Sequence, residues 1–238
     1  MTKWQGAWHI VKTEMRRERF GLLLSFLFIT YLSFILLPLF NEALQGDYPK
    51  SSRWLLDFMY ISLLPNFGYV MNRTMFKVWR DDPVSKRIAI WRTMPIKNAH
   101  IALSRLVGMH IVLVGGWLYF FAVHYVLAFR YHMELGTFVG IAVFWLGYSA
   151  VMASSYIYWE MGYSGKTFTI LCTCYFPIYG LVVYLIFTFD RSAVFGIMEA
   201  VKAGMWWVPA LSLLAAGCAA VISYTAICKR LAMRNLMN

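Results

Sequence analysis

The chain has 238 residues, of which 61% are apolar, 18% aromatic and 14% charged, and its 22 Lys and Arg against 11 Asp and Glu give a formal net charge of +11. Several apolar windows of about 20 residues are each long enough to span a bilayer's hydrocarbon core as a helix. They use more than half of the sequence and exclude a soluble domain of useful size, so the reading is an all-α polytopic membrane protein.

Residues 3–19 come first and read as a helix lying on the membrane. Trp4, Trp8, Val11 and Met15 recur at helical spacing on one face, with Lys12, Arg16 and Arg19 off it. Tryptophan suits the headgroup layer. A docking helix and a basic flank that only orients the next span fit equally. Six spans are then expected at Phe20–Phe40, Leu55–Phe76, Leu106–Phe129, Thr137–Trp159, Phe168–Phe189 and Met205–Cys228. The first is too long for a signal-peptide core and is expected to be retained. In the second, Pro65-Asn66 places a helix-disturbing ring beside a polar amide at mid-span, either as a hydrogen-bonding element between helices or as part of a substrate path. On the third, His110 and His124 share a face but lie about 21 Å apart along the axis, too far to hold one metal, and each is expected near a membrane interface. Small residues on the fourth (Gly147, Ser149, Ala150, Ala153, Ser154, Ser155) favour close helix approach. Between the fifth and sixth spans, Val194, Ile197, Met198 and Val201 predict a short amphipathic helix dipping into the outer leaflet, followed by Trp206 and Trp207 at the interface.

With six spans the two termini share a side, and all but five of the 22 basic residues (Lys50, Arg53, Arg130, Arg191, Lys202) fall on it. By the positive-inside rule both termini are expected in the cytoplasm of a multi-pass protein of the cell membrane. Topology and contact with anionic lipid account for the charge without a nucleic-acid partner.

Catalytic motifs fail. Gly162–Thr167 reads GYSGKT, close to a phosphate-binding loop, but Glu160 stands where the first glycine belongs and the segment sits between two spans. The four cysteines lie in apolar spans with no His or carboxylate cluster, as small apolar residues do. No catalytic residue, bound cofactor or metal is expected in this chain.

The informative segment is Lys77–Arg105. Asp82-Pro83 is a helix start, with Asp capping exposed amides and Pro at the first helical position. Val84, Ile88 and Trp91 line one face, with Lys86, Arg87 and Arg92 elsewhere, and Pro95 closes the helix and opens the next, which runs into the third span. Such a helix fits the groove of a cytoplasmic partner or, equally, a lipid-surface loop.

The run RTMPIKNAHIALSRLV resembles the segment leading into the third span of ABC-2-type transporter permeases, with Met94-Pro95-Ile96 and Ile101-Ala102-Leu103-Ser104-Arg105 in place of the family's Leu-Pro-Ile/Val and Ile-Val-x-Ser-Lys/Arg patterns. The similarity extends to an N-terminal interfacial helix, six spans and a short outer amphipathic stretch. It implies one permease domain over residues 1–238: interfacial helix 3–19, spans in 20–76 and 106–228, cytoplasmic coupling segment 77–105 and tail 229–238. It also implies a second permease, identical or paired, and a separate ATP-binding subunit that carries the ATP and Mg. On that resemblance Asp82, Pro83, Val84, Arg87, Ile88, Trp91 and Pro95 would meet the ATPase, Pro65 and Asn66 would lie on the substrate path, and the chain would export a hydrophobic or amphiphilic substrate such as a peptide, lipid or drug-like molecule. A secondary transporter and a non-transporting scaffold or immunity protein are the alternatives. Against the former, the sequence shows no evident set of membrane-embedded carboxylates placed for ion coupling.

Overall fold

Thr2 and Gln5 start the first helix reciprocally: the Gln5 amide donates to the Thr2 hydroxyl at 3.3 Å and the Thr2 amide to the Gln5 side chain at 3.0 Å. The computed structural model describes residues 2–44, 50–71, 77–93 and 96–234, with side chains for all of these except 42–44 and 50–52. Helix α1 (Lys3–Arg17) buries Gly6, Ala7 and Val11. Gly6 faces His100 and Val11 faces Gly108, so α1 lies along the start of α6. Trp4 and Trp8 stay 62% and 53% exposed. The predicted stripe therefore divides, with Val11 in the bundle and both indoles outside it.

Every described element is helical. Five helices are long and apolar enough to cross a membrane: α2 (Arg19–Leu44), α6 (Asn98–His124, extended as a π-turn through Phe129), α7 (Leu135–Gly162), α8 (Gly165–Thr188) and α10 (Trp207–Met233). α10 carries the helix past the predicted end of the last span, so Lys229 and Arg230 are helical rather than tail.

The second predicted span is not one helix. α3 (Lys50–Leu63) gives way to a 3-10 segment, Leu64–Gly68, and Tyr69 is already extended at φ −96°, ψ 135°. Residues 72–76 of that prediction lie outside the described residues. Pro65 is the cause: it has no N–H for the carbonyl of Ile61, and the helical ladder stops there. The freed acceptors find side chains instead. The Tyr148 hydroxyl on α7 donates to Ile61 O at 2.9 Å, and the Asn66 side-chain amide donates to Ser62 O at 2.6 Å. Ser25 of α2 holds the extended exit, accepting from the Met71 amide at 2.8 Å. At 1.5 and 2.0 Å per residue, α3 and the 3-10 segment together advance roughly 31 Å.

α2, α3, α6 and α7 enclose an aromatic core of Phe40, Tyr60, Phe120, Phe121 and Trp145. His124 belongs to it. It is fully buried against Phe40 and Phe120, with Nδ1 2.8 Å from Phe120 O. The small residues of α7 do allow close approach: a Cβ added at Gly147 would fall 2.5 Å from the Ser212 backbone of α10, and Ser149, Ala153 and Ser154 are fully buried.

At one end of the bundle, α9 (Ala193–Lys202) buries Val194, Met198 and Val201 along the predicted face. At the other end two short helices, α4 (Val78–Asp81) and α5 (Pro83–Thr93), sit among the start of α6, the end of α7, the start of α8 and the end of α10. α1 and Arg234 both contact α5, so the two described ends of the chain meet here.

Candidate functional site

The site grows from Asp82. This residue ends α4 in the left-handed region, at φ 39° and ψ 62°, which Asp tolerates better than most residues. Its Oδ1 accepts the Ser85 amide at 3.1 Å and its Oδ2 the Ser85 hydroxyl at 2.6 Å, which caps α5 as the sequence predicts. Oδ2 also accepts the Gly165 amide at 2.9 Å, at the first turn of α8. One carboxylate thus caps two helices. Gly165 permits this because any Cβ there would collide with the Val78 carbonyl. The glycine of GYSGKT is required for that approach, and Ser164 beside it caps α8 by accepting the Thr167 amide.

α5 has three further attachments. The Arg87 guanidinium reaches Glu14 at 2.9 Å and Glu18 at 3.6 Å, tying it to the junction of α1 and α2. Arg92 donates to the Arg234 carbonyl at 2.8 Å, and the Arg234 guanidinium donates to the Ser85 hydroxyl and to Met161 O at 2.8 Å. Arg230 donates to Gly162 O at 3.2 Å and stacks over Tyr163 at 4.6 Å. The last carbonyls of α7 are therefore capped by the basic end of α10. Burial draws the Arg234 guanidinium below its ordinary pKa, with Asp82 opposing.

The apolar face of α5 points opposite to the expectation of a partner-facing stripe. Ile88 is fully buried in the core, and Val84 and Trp91 pack against it half-buried. A short amphipathic helix beside a bundle lowers its free energy by covering its own bundle before it meets anything else. The outward face of this layer includes Trp79, Arg80, Asp81, Lys86, Ile90 and Thr93, with Trp79 49% and Ile90 57% exposed. Pro95 and Met94 lie outside the described residues.

Behind α5 a cavity of about 450 Å³ reaches into the bundle, between α2, the α3–3-10 break, α6 and α8. Pro83, Val84 and Arg87 line its α5 side and Asn66 its inner wall, so sequence-predicted residues from the coupling segment and from the substrate path share one space. Pro65 is buried behind the turn. Deeper still, Arg105 forms a two-point ion pair with Glu160, at 2.6 and 3.2 Å, and Glu160 is only 8% exposed. Tyr69, Tyr156, Tyr175 and Tyr179 stand along the same cavity.

A second carboxylate matters at the far end. Asp57 on α3, 1% exposed, accepts from the Ser192 hydroxyl at 2.7 Å and from the Ala193 and Val194 amides at 2.9 Å each, fixing the start of α9. The sequence reading gave Asp57 no role. The available signal was a lone Asp inside the run Trp54-Leu55-Leu56-Asp57-Phe58. Comparison of the chain with protein-family models, with curated proteins and with solved structures finds no match.

Proposed function

We propose that this chain is the membrane permease subunit of an ATP-driven exporter of the ABC-2 type, paired with a second permease and with a separate ATP-binding subunit that supplies hydrolysis. In this reading the chain crosses the cell membrane six times, α3 with its 3-10 segment serving as the second crossing. The basic end carrying both termini faces the cytoplasm, in keeping with the excess of Lys and Arg there. α4 and α5 meet the ATPase. The substrate is hydrophobic or amphiphilic and occupies the cavity behind α5.

One observation carries the reading. The short helix layer in the basic segment also forms a wall of the cavity that reaches between the long helices, through Pro83, Val84 and Arg87. A force applied to that layer from the cytoplasm acts directly on the space where a substrate would sit. The Ile88 face is occupied by the bundle, so the contact with the ATPase falls to Trp79, Arg80, Lys86 and Ile90, two exposed apolar anchors beside two cations.

The test is purification of the chain from its native membrane together with any ATP-binding protein that accompanies it, followed by reconstitution. ATP hydrolysis by the complex should fall at least tenfold in Trp79→Asp/Ile90→Asp, while the variant inserts and remains folded. A complex that forms and hydrolyses ATP equally well with both anchors replaced would overturn the assignment of this face. Absence of any ATPase complex with the unaltered chain would overturn the permease reading itself.

A further inference from the structure

We infer that the outer side of α1, where it joins α2, is a site for one anionic phospholipid. An open recess of about 310 Å³ there is lined by Trp8, Val11, Lys12, Met15 and Arg16 of α1 and by Arg19, the first residue of α2. Three cations thus converge on a space whose remaining wall is an indole and two apolar side chains. All three are exposed, and among the described residues none of them forms an ion pair. Glu14, two residues from both Lys12 and Arg16, falls on nearly the opposite side of the helix, where it meets Arg87. Glu18 is turned the same way, 3.6 Å from that guanidinium. Residues 72–76, 94–95 and 235–238, outside the described residues, include no Asp or Glu and so bring no carboxylate to the recess. Glu42 lies about 35 Å along α2 from Arg19, and Asp47 follows it in sequence.

The apolar surface that continues from the recess gives the second reason. Arg19 heads a stripe on α2 that runs through Leu23, Phe26 and Leu27 at i+4, i+7 and i+8, and all three are exposed. A cation cluster at the head of an exposed apolar stripe matches a phospholipid, with its phosphate at Lys12, Arg16 and Arg19 and its acyl chains along α2. The two guanidiniums can each grip phosphate oxygens in pairs. Trp8, exposed beside them, suits the boundary between headgroup and chains, where an indole has a place for both its ends. A soluble phosphorylated compound would use the cations and leave the stripe bare. The diffuse charge of the basic end calls for weak contact with any anionic lipid, whereas the recess calls for one lipid held by three named side chains. Because Glu14 on the other side of α1 holds Arg87, a lipid seated here braces the helix that anchors α5.

The test is native mass spectrometry of the full chain, released from detergent micelles after titration with phosphatidylglycerol or with phosphatidylcholine of the same acyl chains. Phosphatidylglycerol should form one high-affinity adduct and bind at least tenfold more tightly than phosphatidylcholine. One cation near an anionic headgroup contributes about fivefold, so Lys12→Gln should weaken the adduct about fivefold and Arg16→Gln/Arg19→Gln about 25-fold, with helicity by circular dichroism unchanged. Lys3→Gln/Arg17→Gln removes two charges from α1 outside the recess and should change binding less than twofold. Glycerol 3-phosphate in large excess, a headgroup without chains, should leave the adduct in place. Equal affinity for the two lipids, equal losses in the two double variants, unchanged binding in Lys12→Gln and Arg16→Gln/Arg19→Gln, or displacement by glycerol 3-phosphate would overturn the inference. No ATP-binding partner enters this measurement, so its outcome is independent of the permease reading.

Discussion

Asp82 provides the sharpest quantitative test of how the basic end is held together. Alanine there removes the acceptor for the Ser85 amide, the Ser85 hydroxyl and the Gly165 amide at once. Loss of an N-cap costs about 1 kcal/mol, and leaving the Gly165 N–H without a partner adds about 1–3 kcal/mol, so roughly 3 kcal/mol of local stability is at stake. Asparagine keeps an acceptor oxygen and tolerates the left-handed backbone, so its cost should stay near 1 kcal/mol. Glycine relieves the backbone at φ 39° but loses both caps, and should remain within about 1 kcal/mol of alanine. The measurement is amide hydrogen exchange by mass spectrometry in nanodiscs, on peptides covering α5 and the first turn of α8. For Asp82→Ala, 3 kcal/mol corresponds to about a 100-fold loss of protection in both segments together, with α6 and α7 unchanged. Faster exchange confined to α5, with the Gly165 amide as protected as before, would refute the double-cap argument.

Two further outcomes follow from groups that sequence reasoning did not use. Asp57→Ala leaves the Ala193 and Val194 amides without their acceptor, so α9 should exchange at least tenfold faster while the five long helices keep their protection; hydrogen exchange resolved by segment reads both. Tyr148→Phe deletes the donor to Ile61 O at the proline break. Interhelical hydrogen bonds in membrane bundles contribute about 0.6 kcal/mol on average and up to about 1.7, and this one serves a carbonyl that has lost its helical partner, so a loss near the upper figure is expected in SDS unfolding titrations.

The long helices were legible because hydropathy over 20 residues is a local signal, and so were the α9 face and the Asp82-Pro83 helix start. The break at Pro65 was visible as a perturbation but not in extent, since how far the helix unwinds depends on which acceptors Tyr148 and Asn66 satisfy. The orientation of α5 was illegible for a different reason. A stripe at Val84, Ile88 and Trp91 reads the same whether it covers its own bundle or another protein, and only the core around Ile88 decides. The attachments at Asp82, Asp57 and Arg92 join residues 83, 136 and 142 positions apart, and such pairs leave no periodic trace in one sequence. The glycine in GYSGKT was conspicuous, yet its reason is a single carbonyl on α4.

These attachments decide where a displacement of α5 would go. The sequence pointed to a route through Pro95 into the third span. The contacts add a more direct one: Asp82 grips the first turn of α8, and α8 carries Phe168, Thr169, Cys172, Thr173, Tyr175, Phe176 and Tyr179 on the cavity wall. α8 is also among the least buried of the five long helices, with Ile170, Ile178, Leu181 and Tyr184 all more than half exposed, so few packing contacts within this chain oppose its movement. α7 has the opposite character, pinned by Gly147 against α10 and by Arg230 and Arg234 at its end. On the proposed reading, a push on Trp79 and Ile90 therefore tilts α8 against a fixed α7, and the tyrosine faces that separate are those between Tyr156 on α7 and Tyr175 and Tyr179 on α8. On that reading the cavity would change shape at the tyrosine-lined wall first, coupling the cytoplasmic helix layer to ligand release without requiring the core around Trp145 to repack.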